Sequence, residues 1–144
     1  MEYTIEIDRP ADDVFGFVTD PSRFPQWQKD VVRVAVPHPG TPGLGERFAT
    51  SRRIAGAERS MTQEVTEFAP EARRWAVRGV DGPIRPHATV TVEPLDGGTR
   101  CRVLFALDFE AHGVGVPLAP VVRRQAEKSG PVSYTNLKNL LEAG

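Results

Sequence analysis

The chain has 144 residues, a length suited to one domain that buries roughly 70% of the surface its unfolded form exposes. Of these, 40% are hydrophobic and 26% charged, and no run approaches the ~18 consecutive apolar residues that cross a bilayer. Eighteen basic residues against 19 acidic ones give a formal net charge of −1, which speaks against a protein that coats phosphates, so no nucleic-acid partner is expected.

Cys101 is the single cysteine, which excludes an internal disulfide and reads as a small buried hydrophobe. Only Lys29, Lys128 and Lys138 among the basic residues are lysines, and with the many Ala, Gly and Pro this bias points to a GC-rich bacterial genome. The opening MEYTIEIDRP is acidic and alternating, unlike the basic and then apolar pattern of a secretory signal. A cytoplasmic protein without membrane insertion is therefore expected.

Residues 3 to 8 alternate Tyr3, Ile5 and Ile7 with Thr4, Glu6 and Asp8, the period of a half-buried strand. Pro10 then starts a helix with Asp12 and Asp13 in its first turn and Val14, Phe15, Phe17 and Val18 on its apolar side. Asp20-Pro21 ends it, and SRFPQWQKD reads as a second short helical turn burying Phe24 and Trp27. A β-branched run from Asp30 to Val36 predicts strand two, followed by the irregular loop PHPGTPGLGE. Further strands are predicted at about 46 to 54, 58 to 68, 73 to 79, 86 to 94 and 99 to 109, with gaps short enough for antiparallel hairpins. Asp96-Gly97-Gly98 is the clearest of these turns.

From about Pro117 to Glu142 the spacing of Leu118, Val122, Val132, Leu137 and Leu140 predicts one long helix. Gly130-Pro131 falls near its middle, where a proline removes a backbone bond at a cost of about 3 kcal/mol, so the helix is expected to kink or break there. Strand, two helices, a run of strands and a terminal helix make an α+β arrangement, and no linker divides residues 1 to 144 into two domains.

The segments IDRPADDVFGFVTD and RFPQW, the residues Gly45-Glu46-Arg47-Phe48, the DGGTR turn and the terminal NLKNLLE together resemble the polyketide cyclase/dehydrase-like branch of the START-like, helix-grip superfamily. That resemblance covers essentially the whole chain. It implies about seven antiparallel strands curved around the C-terminal helix, two short helices between strands one and two, and a cavity between sheet and helix. In relatives such a cavity holds lipids, sterols, polyketides or other apolar metabolites. No catalytic residue is carried over from the family.

Pocket candidates follow from the phase of each strand. Phe48, Thr50, Arg52 and Ile54 share a face, with Arg52 either facing the cavity or reaching past its rim. Gln63 is in phase with Met61 and Val65, and Trp75 with Val77. On the helix Gln125, Ser129 and Asn136 interrupt the apolar stripe, while Trp27, Trp75, Phe105 and Phe109 are candidate aromatic walls. The ligand-binding set expected from sequence is thus Trp27, Phe48, Arg52, Gln63, Trp75, Phe105, Gln125 and Ser129. Each is also open to the plainer reading of a core residue or a polar group satisfied within the protein.

His38, His87 and His112 have no metal-ligand spacing, neither a GxSxG elbow nor a phosphate-binding loop is present, and no cofactor is expected. Three functions stay open at this point. The first is a carrier or sensor that binds a small hydrophobic molecule. The second is a cyclase, aromatase or dehydratase, with Arg52, Gln63 and Tyr134 as proton-moving groups. The third is a protein-interaction module using a sheet edge or the PHPGTPG loop. A homodimer is compatible with all three.

Overall fold

Strict alternation sets the first strand, β1 (Glu2–Ile7): in the computed structural model, which describes residues 1–144, Glu2, Thr4 and Glu6 are exposed and Ile7 is fully buried. Helix α1 (Ala11–Val18) follows, with Pro10 at its N-cap, Asp12 and Asp13 against the positive end of its dipole, and Ala11, Val14, Phe15 and Val18 buried. The Asp20 carboxylate then caps a 3-10 turn, Pro21–Arg23, by accepting from the Ser22 N–H, and the one-turn helix α2 (Phe24–Trp27) buries Phe24 and Trp27.

Six more strands complete one antiparallel sheet: β2 (Val31–Ala35), β3 (Arg47–Ile54), β4 (Ala57–Ala69), β5 (Arg74–Gly79), β6 (Ile84–Leu95) and β7 (Arg100–Ala111). Their order is β1-β7-β6-β5-β4-β3-β2, so the two edge strands are consecutive in the chain and α1 and α2 carry it from one edge to the other. Register shifts between Val31 and Arg33 and between Val65 and Glu67 are bulges that bend and twist the sheet. The β6–β7 turn is the Asp96-Gly97-Gly98 hairpin, where all three residues have positive φ.

Strand β6 starts at Ile84, ahead of the position 86 expected from alternation, and so includes Pro86. Proline is tolerated there because β5 pairs with β6 only as far as Arg78 opposite His87, which leaves no ladder bond for the missing N–H to make. Gly79 makes room for the ring: a Cβ at this position would lie 2.8 Å from Arg85 Cα and 2.8 Å from Pro86 Cδ.

The chain leaves β7 through a 3-10 turn, Gly113–Leu118, into helix α3 (Ala119–Ala143), 25 residues long. Pro117, expected in the first turn of this helix, belongs to the preceding 3-10 turn, and Pro120 takes the first-turn position. The break expected at Gly130-Pro131 is absent: α3 runs through both residues. Pro131 sits on the exposed side, where the carbonyl it frees on exposed Glu127 faces water, and packing on either side outweighs the local cost.

The stripe expected on α3 is also rotated. Val132 and Leu140 are 43% and 40% exposed, and the buried face is Val122, Ser133, Tyr134, Leu137 and Leu141. Gly130 fixes this phase by lying against Tyr3, whose Cζ and Oη would each be 3.2 Å from a Cβ added there. One large core gathers Ile7, Val14, Trp27, Phe105, Tyr134 and Leu137, and a smaller one gathers Ile54, Met61, Ile84 and Val122.

Gly79→Ala is expected to lower stability by roughly 1–3 kcal/mol, because its methyl group meets backbone that cannot rotate away. Urea unfolding with an unchanged slope and a lower midpoint is the expected result.

Candidate functional site

Between the two cores the inward face of α3 carries Ala126, Ser129 and Gly130, side chains too small to reach the sheet. The space left is a cavity of about 160 Å³. Met61, Gln63, Trp75, Val77, Val90 and Phe105 form its sheet wall. Trp27, Gln28 and Asp30, at and just after α2, close one side, and Val122, Gln125 and Tyr134 extend the helical roof.

Arg52 gives this apolar space one cationic end. It projects from β3 in phase with buried Phe48 and Thr50, and its Nη2 donates to Gln28 Oε1 at 2.6 Å. Burial pushes its pKa down to about 10, an effect only partly opposed by Asp30 and Tyr134. The Tyr134 hydroxyl is held above the ordinary tyrosine value, chiefly by burial and also by Tyr3, with Arg52 acting the other way. Its ring stacks on Phe105, with centroids 4.2 Å apart and planes at 18°.

Most other polar groups here are bonded within the protein. Gln125 clasps the β3–β4 hairpin: Nε2 donates to Arg53 O at 2.6 Å and to Asp30 Oδ2 at 3.2 Å, and Oε1 accepts from Ala55 N at 3.1 Å. Gln63 Oε1 accepts from Thr50 Oγ1 at 3.1 Å, Trp75 Nε1 donates to Pro42 O at 3.1 Å, and Ser133 Oγ accepts from Lys29 N at 3.1 Å. Trp27 is the exception. Its Nε1–H is the one buried side-chain polar group without a partner, a deficit of about 1–3 kcal/mol.

Of the residues singled out from sequence, the structure gathers Trp27, Arg52, Gln63, Trp75, Phe105, Gln125 and Ser129 in the cavity wall. Phe48 is not among them: it lies behind the wall, stacked on Trp75 at 5.9 Å and edge-on to Phe24 at 6.1 Å. Asn136, expected on the inner side of the helix, is exposed. Gly130, which breaks the apolar stripe of the helix, also lines the cavity. Sequence reasoning missed Gln28, Asp30 and Ser133: the first two follow a single helical turn and carry no periodic signal, and Ser133, in phase with Ser129 and Leu137, carries no apolar signal of its own.

No group of His, Cys, Asp and Glu is placed to hold a metal ion. His87 bonds Glu110, and His38 bonds Glu46 Oε1 at 2.8 Å through Nε2 and Pro39 O at 2.8 Å through Nδ1. Glu46 Oε1 also accepts from Gly43 N at 2.7 Å, so this pair ties down the loop that presents the Pro42 carbonyl to Trp75.

Residues 1–142 match the family described as polyketide cyclase/dehydrase and lipid transport. The chain belongs to that family. Solved structures resembling this chain include the Zhui aromatase/cyclase from Streptomyces sp. R1128, 16% identical, with a TM-score of 0.82 over 99% of this chain and 92% of that one. A START superfamily protein from Mycobacterium smegmatis is 18% identical, with a TM-score of 0.78 over 99% and 97% of the two chains. The di-domain ARO/CYC BexL from the BE-7585A biosynthetic pathway is 22% identical, with a TM-score of 0.71, and 96% of this chain covers only 45% of that one. At these identities the likeness is one of fold. Curated proteins offer no match.

The His38–Glu46 pair gives a pH test. His38 lies above its ordinary 6.5, from the bond to Pro39 O and then from Glu46, so its contribution is complete below 6.5 and is lost as pH rises through the raised value. Glu46 lies below 4.5, chiefly through His38, so its contribution is present above 4.5 and is lost as pH falls through the lowered value. An NMR titration should place His38 above 6.5, and Glu46→Gln should move it back toward 6.5.

Proposed function

We propose that this protein binds a small, largely apolar molecule in the cavity between the sheet and α3, as a carrier or sensor. The observation that carries this reading is the cavity itself, walled by Met61, Val77, Val90, Phe105 and two tryptophans, with its cationic end at Arg52. Its volume of about 160 Å³ is close to the ~150 Å³ of an engineered apolar cavity that admits benzene. A ligand body of single-ring size fits; a longer molecule must extend past the rim. The family description, which includes lipid transport, supports the same chemistry.

Binding without chemistry is favoured by the character of Arg52 and Tyr134 in the wall. No histidine lines the cavity. Arg52, at about 10, and Tyr134, raised above its ordinary value, are not poised near neutral pH as a general acid or base needs to be. A cyclase of the kind named among the structural relatives would have to work mainly by holding its substrate's shape.

Both tryptophans of the chain line the cavity, so intrinsic fluorescence reports its occupancy. Native mass spectrometry of the purified protein is expected to show a bound small molecule, or binding of added single-ring hydrophobes that shifts the fluorescence. Ala126→Phe, which fills the roof, should abolish that binding while keeping the circular dichroism of the fold. A wild type that neither carries nor takes up any such molecule would overturn the proposal.

A further inference from the structure

Several arginines on the outer face of the sheet are paired with carboxylates, and Arg52, inside, is not. Arg47, Arg74, Arg100 and Arg102 reach carboxylate oxygens at 3.2, 3.2, 3.1 and 3.4 Å, in positions where water already screens them. Arg52 stands in the cavity wall, where a charge costs far more, and no carboxylate lies within 4.0 Å of its guanidinium. Its hydrogen-bonding partner is the neutral amide oxygen of Gln28. Asp30 is the carboxylate whose charge acts on it, and that carboxylate accepts from Gln125. Most of the guanidinium fork therefore has no protein acceptor.

The negative charge nearby, Asp30, also lines the cavity but is engaged by Gln125 and makes no ion pair with Arg52 within 4.0 Å. What the guanidinium lacks is a direct acceptor for its remaining N–H groups. A neutral alcohol or ketone supplies one oxygen and no charge, whereas a carboxylate supplies two oxygens in the planar arrangement that a guanidinium bonds in parallel.

We propose that the ligand of this cavity is an organic monocarboxylate, its anionic group held by Arg52 and its apolar body lying against Phe105 and Val90. This rests on the binding reading above and narrows it from any apolar molecule to an amphiphilic acid. Gln28 holds the guanidinium in place, and the cavity volume of about 160 Å³ limits the body to about the size of one ring.

The test compares two probes of the same shape, phenylpropanoate and phenylpropanol, titrated into the full chain at pH 7 and followed by tryptophan fluorescence and calorimetry. The wild type is expected to bind the acid at least about tenfold more tightly than the alcohol. R52Q should lose that preference, the acid binding no more tightly than the alcohol, with circular dichroism showing that the variant is folded. R52K should keep part of the preference, since the charge remains while the fork is lost. Equal binding of both probes by the wild type, or an acid preference that survives in R52Q, overturns the carboxylate proposal and leaves the binding reading standing. Binding of neither probe overturns both. Should R52Q fail to fold, R52K and the wild-type ratio decide the matter.

Discussion

The contact on which the rest of this structure depends is the packing of the C-terminal half of α3 onto the sheet. Leu137 is fully buried there, and Tyr134 stacks on Phe105. Polar ties to the end of β1 hold the same half in place: Lys138 Nζ donates to Glu6 O at 2.6 Å, Asp8 N to Glu142 Oε2 at 2.9 Å, and Arg9 Nη1 to Leu141 O at 2.9 Å. With that end fixed, the direction of the helix is fixed, and its N-terminal half must pass over the sheet wherever the axis carries it. Val122 and the Gln125 clasp are its anchors there. The cavity is what remains between two points of attachment when the residues joining them are Ala126, Ser129 and Gly130.

The same geometry explains why an arginine can sit inside. Alternation along β3 puts position 52 on the inner face whatever residue occupies it, and the side chains before and after it in phase, Thr50 and Ile54, are buried. An aliphatic residue at 52 would satisfy the local pattern at no electrostatic cost. A guanidinium there carries a desolvation penalty large enough to lower its pKa to about 10. Local rules broken in this way are expected at functional sites, with the cost met elsewhere in the fold.

Much of the fold was legible because the strands alternate cleanly and the hairpin at Asp96-Gly97-Gly98 has the residues its backbone demands. The site was legible only as far as alternation reaches. Phase says which face a side chain occupies and nothing about depth, so Phe48 shares a face with Arg52 and yet lies behind Trp75. The bulge at Val65–Glu67 adds curvature that no period of two contains. Gln28 and Asp30 contribute through the irregular segment after α2, where sequence offers composition but no direction.

Gly130-Pro131 shows most clearly how tertiary packing overrides a local signal. Taken alone, the pair forbids a regular helix; in place, each residue has a separate reason to be tolerated. Proline faces water, where the carbonyl it strands can be solvated, and glycine faces Tyr3 at a separation that leaves little room for a side chain. The dipeptide therefore marks a place where α3 lies close against Tyr3 of β1. Immediately N-terminal to that point the helix still carries the small residues Ala126 and Ser129, which line the cavity. The same glycine that lets the helix approach β1 thus forms the edge of the cavity roof, next to Tyr134 and within the wall that also holds Arg52.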